Sequence, residues 1–134
     1  MKPHRTVNSP DLAPAVGFSH AVVAARGRLV FLGGQVGSMP DGSISGTTLL
    51  EQFDRALVNV RTALDSVGAR PEHLVQLQIY CLDAAAYRSQ LHDLGVTYRK
   101  VLGPHYPAVA LFAVAGLFDP AALVELVGTA VLPG

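Results

Sequence analysis

The sequence predicts an α+β layer domain, a mixed β-sheet with two helices packed against one face. Two observations carry that fold class. Two segments repeat their apolar residues at the helical period between recognisable caps, and five apolar runs of strand length surround them. The 134 residues fit one compact domain over 1–134, long enough to bury a core without disulfides or metal.

Ala21–Ala25 and Leu29–Leu32 read as short strands joined by a tight Arg26-Gly27-Arg28 hairpin. Gly33-Gly34 ends the second run, and residues 38–45, rich in Ser, Gly, Pro and Asp, form a loop. Thr48 with Glu51 three residues on is a capping box. Leu49, Phe53, Leu57, Val60, Leu64 and Val67 follow at helical spacing, and Gly68 with Pro71 closes the helix. Val75, Leu77, Ile79 and Cys81 alternate with Gln76, Gln78 and Tyr80, a strand pattern. Asp83 caps a second helix with the stripe Tyr87, Leu91, Leu94, Tyr98 and Val101 or Leu102, stopped by Gly103-Pro104. The continuous run Ala108–Ala115 predicts a strand buried on both faces. Leu123–Leu132 is the last strand, with Glu125 its one charge.

Composition narrows the function. Half the residues are hydrophobic and 15% are charged, below the ~25% usual for soluble domains. A homo-oligomer that hides apolar surface between copies follows. Ten basic residues balance ten acidic ones, so the chain lacks the positive footprint of a nucleic-acid binder. The lone Cys81 excludes an intrachain disulfide and a cysteine zinc cluster, and on the apolar side of its strand it reads as an inert thiol. No apolar run reaches the ~20 residues of a membrane span, and no signal-peptide pattern follows the N-terminal Lys2-Pro3-His4-Arg5, which points to the cytoplasm.

No standard catalytic motif is present. Gly33-Gly34-Gln35-Val36-Gly37 lacks the lysine of a phosphate loop, and reads either as a strand end approached closely by other backbone or as amides facing a ligand. His4, His20, His73, His92 and His105 show no metal-ligand spacing, so neither a metal nor a cofactor is expected. Glu125, between Val124 and Leu126, is costly to bury alone; it either faces solvent or an arginine, or serves as a general acid or base.

Several segments, in order, resemble one family. Ala13-Pro14-Ala15-Val16-Gly17-Phe18-Ser19-His20-Ala21-Val22 is similar to an AP-x-x-GPYSQAV element, and Val30-Phe31-Leu32-Gly33-Gly34-Gln35-Val36 to a V-x-x-SGQ strand end. Glu51-Gln52-Phe53 through Asn59 and Gly68-Ala69 resembles its QT-x-x-x-L-x-N helix. Tyr106-Pro107-Ala108 and Leu123-Val124-Glu125-Leu126 resemble its PAR…VEIE signature. The family is the Rid family, YjgF-like and also labelled endoribonuclease L-PSP. The resemblance spans about Ala13 to Val131. It implies a chorismate-mutase-like fold and a homotrimer whose sheets form a barrel, with ligand clefts between subunits. It also implies cofactor-free hydrolysis of reactive enamines and imines, the arginine of PAR gripping the substrate carboxylate and the glutamate handling proton and water.

The chain departs from that pattern at the chemistry. Val109 replaces the arginine, Phe18 the tyrosine, His20 the glutamine and Gly33 the serine, while Glu125 is kept. Deamination of small imino acids is therefore not expected, and the cleft should be more apolar. The resemblance then assigns Glu125 as catalytic, and Phe18, His20, Gly33, Gly34, Val109 and Leu111 as substrate-binding. His105, beside a matched segment, stays a candidate helper. Two functions remain open: a divergent enzyme using Glu125 for hydrolysis, hydration, dehydration or tautomerisation, or a trimeric small-molecule-binding module without turnover. Ribonuclease-like activity comes third, for want of positive charge.

Overall fold

The computed structural model describes residues 2–134; Met1, part of the domain read over 1–134, lies outside the described residues. The element order is β1 (Arg5–Val7), β2 (Ala21–Val23), β3 (Gly27–Phe31), α1 (Leu49–Ser66), a 3₁₀ turn at Pro71–His73, β4 (Leu74–Cys81), α2 (Ala84–Ser89), α3 (Leu91–Leu102), β5 (Ala108–Ala113) and β6 (Val124–Pro133). Four strands form the main sheet in the order β3-β6-β4-β5, with β4 and β5 parallel and the other pairs antiparallel. The fold is thus mixed α+β, as the composition of segments predicts.

Several details differ from the sequence reading. There is no hairpin at Arg26–Arg28: β2 pairs with β1 in a separate two-stranded ribbon, while β3 pairs with β6. β1 is only three residues, Arg5-Thr6-Val7, too short for an alternation to show. The second helix is two helices. The α-helical partner for the Gln90 N–H would be the Ala86 carbonyl, but that oxygen accepts from Ser89 Oγ (2.8 Å) and Gln90 Nε2 (3.1 Å). The Gln90 N–H turns instead to Tyr87 O, and the helix breaks there. Finally, β5 is an edge strand and stays half exposed, because nothing among the described residues pairs with its far side along most of its length.

The helical signals of α1 are realised. Thr48 Oγ1 accepts from the Glu51 N–H (3.2 Å), and Glu51 Oε1 accepts from the Thr48 N–H (3.1 Å). Leu49, Phe53, Leu57, Val60 and Leu64 are buried against the sheet, and Gly68 takes φ 76° just past the end. Val67, read as part of that stripe, is exposed. Along β4, Leu77, Ile79 and Cys81 are buried under the helices. Desolvation pushes the Cys81 thiol above its ordinary value, which keeps it inert.

Two polar devices hold the layers in register. Gln52, 1% exposed, donates through Nε2 to Gly46 O (3.3 Å) and Ala121 O (3.1 Å) and accepts from the Leu123 N–H at 2.8 Å. It ties the loop before α1 to the entrance of β6. At the opposite end, His4, His73 and His105 are all buried. His4 Nε2 donates to the carbonyls of His73 and Val131, its Nδ1 accepts from Ala25 N–H, and His105 Nε2 donates to Leu74 O (2.8 Å). These bonds fasten the β1–β2 ribbon and the α3–β5 connection to the main sheet.

Gln52→Ala removes three hydrogen bonds and leaves the half-buried Leu123 N–H without an acceptor. The expected loss is about 2–4 kcal/mol of unfolding free energy by urea titration. A loss below ~0.5 kcal/mol would show that the Gln52 links contribute nothing net.

Burial holds the imidazoles of His73 and His105 below the ordinary histidine range, with the nearby positive charges of Arg70 and Lys2 adding to it. The unfolded chain therefore binds more protons than the folded one below pH ~6.5. Stability is expected to be flat from pH 8 to 7 and to fall between pH 6.5 and 5. His105→Gln, which keeps a donor for Leu74 O and does not titrate, should flatten part of that fall. An unchanged urea midpoint from pH 7.5 to 5.5 would contradict the assignment.

Candidate functional site

Strand alternation decides where each candidate residue lies. Val109 and Leu111 of β5 stand opposite Leu77 and Ile79 of β4, so they point to the face that carries the helices. There they wall a cavity of about 890 Å³. Its other sides are α3, through Leu94 and Tyr98, and the segment Ala15–Ser19. Ser19 fixes that segment to the start of β5: its N–H donates to Pro107 O (3.0 Å) and its Oγ to Tyr106 O (2.6 Å). Phe18, half-buried, lines the cavity beside it.

Aromatic rings make much of the wall. Tyr98 and Tyr106 stack with centroids 5.4 Å apart, and Phe53 meets Tyr87 edge-on at 5.9 Å. Burial raises the Tyr87 phenol to about 12 and the Tyr98 phenol higher still, so both stay protonated donors near neutral pH. The Tyr98 hydroxyl spends its proton on His105 O at 2.6 Å. The sequence reading missed these tyrosines, since their spacing is that of a core stripe; the one signal was two hydroxyl-bearing rings on a face otherwise made of leucine.

Glu125 lies on the other side of the sheet. It stands opposite Tyr80, and Tyr80 stacks on Phe112 at 5.5 Å. The carboxylate is half-buried and makes no side-chain hydrogen bond or ion pair among the described residues. It rests directly against Gly34, where a Cβ would collide with the Glu125 carboxylate. Gln35 and Leu126 exchange both backbone hydrogen bonds at 2.8 Å, which sets this register. The loop is held from behind by α1: Asn59 Nδ2 donates to Val36 O and Ser38 O, and Gly37 admits the α1 backbone at Gln52. Gly33 is exposed beside them with open space where a side chain would be.

One chain therefore groups the candidates into two sets. Phe18, Val109 and Leu111 share the cavity, while Glu125, Gly33 and Gly34 share the open face. His20 belongs to neither. Its Nε2 donates to Ala13 O (2.7 Å), its Nδ1 accepts from the Ser9 N–H (3.0 Å), and its ring packs edge-on against Phe18. Both ring nitrogens are engaged in holding the loop that carries Phe18. His105 is buried in the core end of the domain, its Nδ1 without a partner among the described residues. No cluster of metal-ligating side chains occurs among the described residues, and no helix is long and apolar enough to cross a membrane.

Comparison with known proteins gives a consistent result. The family model for endoribonuclease L-PSP matches residues 8–132. A crystal structure from Yersinia pestis, a protein of unknown function in the conserved Rid family, superposes with a TM-score of 0.88 at 30% identity, covering 97% of this chain and 99% of that one. A protein of Entamoeba histolytica given the endoribonuclease L-PSP label is 32% identical over 96% of this chain and 99% of its own, with a TM-score of 0.68. A Mycobacterium tuberculosis member of the YjgF/YER057c/UK114 family is 27% identical, covers 96% and 99%, and has a TM-score of 0.64. No curated protein matches the sequence.

Proposed function

The chain belongs to the endoribonuclease L-PSP family, the Rid or YjgF group, and from that premise we propose that it takes up a small, rather apolar metabolite in a cleft between copies of itself, with Glu125 as general acid or base. The observation that carries this reading is the cavity whose strand wall is Val109 and Leu111. Where the family signature has an arginine, the aliphatic Val109 offers a substrate only apolar contact. Small imino acids, whose recognition rests on a carboxylate paired with that arginine, are poor candidates for turnover here.

The intersubunit part of the proposal rests on the two faces. Glu125 cannot reach the cavity wall of its own chain through the sheet. A second copy whose cavity mouth abuts the open face would bring its Val109 wall and a Glu125–Gly34 pair into one cleft. That face needs covering: Phe31 is 75% exposed, Leu29 63% and Phe112 43%. A homotrimer with the open faces turned inward meets this need and matches the low charge of the sequence.

The chemistry asked of Glu125 is modest. Its carboxylic acid protonates the enamine β-carbon or the imine nitrogen to give an iminium ion, and the resulting carboxylate takes a proton from the water that adds to the C=N carbon. Release of ammonia or an amine then leaves a carbonyl product. Hydration, dehydration and tautomerisation use the same proton transfers. The second reading, a binding module without turnover, is favoured by one observation, the separation of Glu125 from the cavity within a single chain.

One comparison tests the proposal. Imines of leucine and phenylalanine, generated in place by an amino-acid oxidase, are offered beside 2-aminoacrylate, and release of keto acid is followed. Apolar imines should turn over faster than 2-aminoacrylate. Glu125→Gln should slow them by ~100-fold or more while melting no lower than wild type. Gly34→Ala should do the same by pushing the carboxylate aside. Full activity in both variants would remove Glu125 from the chemistry, and bound ligand without turnover in the wild type would leave the binding module.

A further inference from the structure

The cavity carries a charge pattern that its apolar walls do not require. Among the described residues two cations, Lys2 and Arg99, line it, and no aspartate or glutamate does. The chain as a whole has ten basic and ten acidic residues, so this local excess is not a consequence of overall composition.

Arg99 reaches the cavity by construction. Leu91, Leu94, Gly95, Tyr98 and Arg99 lie at i, i+3, i+4, i+7 and i+8 of α3, one continuous stripe, and all five line the cavity. Side chains on a helix lean towards its N-terminus, so Arg99 extends back over Gly95. Its Nη1 lies 3.6 Å from where a Gly95 Cβ would sit. A Cβ at that distance would be in ordinary van der Waals contact, so the guanidinium lies along the stripe over Gly95. Arg99 makes no ion pair and no side-chain hydrogen bond among the described residues. Lys2 spends one of its three protons on Pro104 O at 3.3 Å and is otherwise exposed.

We infer that the cavity takes an amphipathic organic anion, its apolar body between the tyrosine-rich helix face and the Val109–Leu111 wall, its anionic group at the rim against Arg99 and Lys2. The inference rests on the cavity being the ligand site and adds which ligands it selects. The anion site has moved in this chain: the strand position where the family signature has its arginine is aliphatic, and the guanidinium that lines the cavity among the described residues is that of exposed Arg99 on α3. A ligand must then be long enough to span from the apolar wall to the rim, which two- and three-carbon acids are not.

Calorimetric titration of the wild-type protein with decanoate, decanol and decylamine separates the alternatives. Decanoate should bind at least ~10-fold tighter than decanol, decylamine more weakly than either, and 0.5 M NaCl should narrow the difference. Arg99→Gln, on an exposed helical position that tolerates glutamine, should bring decanoate within about threefold of decanol, and adding Lys2→Gln should abolish the preference. Decanol binding as tightly as decanoate, with Arg99→Gln without effect, overturns the anion site and leaves the apolar cavity as the ligand site. Absence of binding by all three probes overturns the inference together with the cavity reading it rests on.

Discussion

A β-strand sends successive side chains to opposite faces, and that alternation governs how this chain can work. Two antiparallel ladders lock β6 between β3 and β4, and the parallel ladder adds β5 at the edge. Once that order is set, Val109 and Leu111 must face the helices and Glu125 must face away. A one-residue slip of β5 would bring Ala108 and Ala110 under α3 instead and empty the cavity of its aliphatic wall. The registry therefore decides which of the candidate residues share a face. Gln52 guards it at the entrance to β6, and the Gln35–Leu126 backbone pair guards it beside Glu125.

The same constraint explains why so hydrophobic a chain leaves one sheet face open. α1 and α3 cover one side only, so Phe31, Leu29 and Phe112 remain exposed on the other. A run such as Ala108–Ala115, apolar throughout, would be wasteful on an edge strand of a monomer. It fits a strand covered on both faces by the chain and by its copies. Low charge, continuous apolar strand and open face are three views of one surface that the single chain does not bury.

Much of the fold was legible because its signals are local. The capping box at Thr48–Glu51, the stripe to Leu64, the stop at Gly68 and the alternation of β4 need only near neighbours in sequence. The partner of each strand needs distant ones. Nothing in Ala21–Val23 indicates that it pairs with Arg5–Val7 rather than with the strand that follows it. The break at Gln90 depends on side chains outbidding the backbone for Ala86 O, which no periodicity reports. For the site, motif matching singled out Glu125, Phe18, His20, Gly33, Gly34, Val109 and Leu111 as candidates, yet could not divide them between two faces. Arg99 and the tyrosines stayed hidden because a cavity-lining stripe and a core stripe have the same spacing.

The central claim is that the Val109 wall of one chain meets the Glu125–Gly34 pair of another. A photoreactive benzoyl-phenylalanine placed at position 109 tests it without any substrate. Irradiation of the assembled protein should give covalent dimers on denaturing gels, with the linked peptide containing residues 33–36 or Glu125 of a second chain. Crosslinks confined to a single chain, in a protein that runs as a monomer at micromolar concentration, would contradict it.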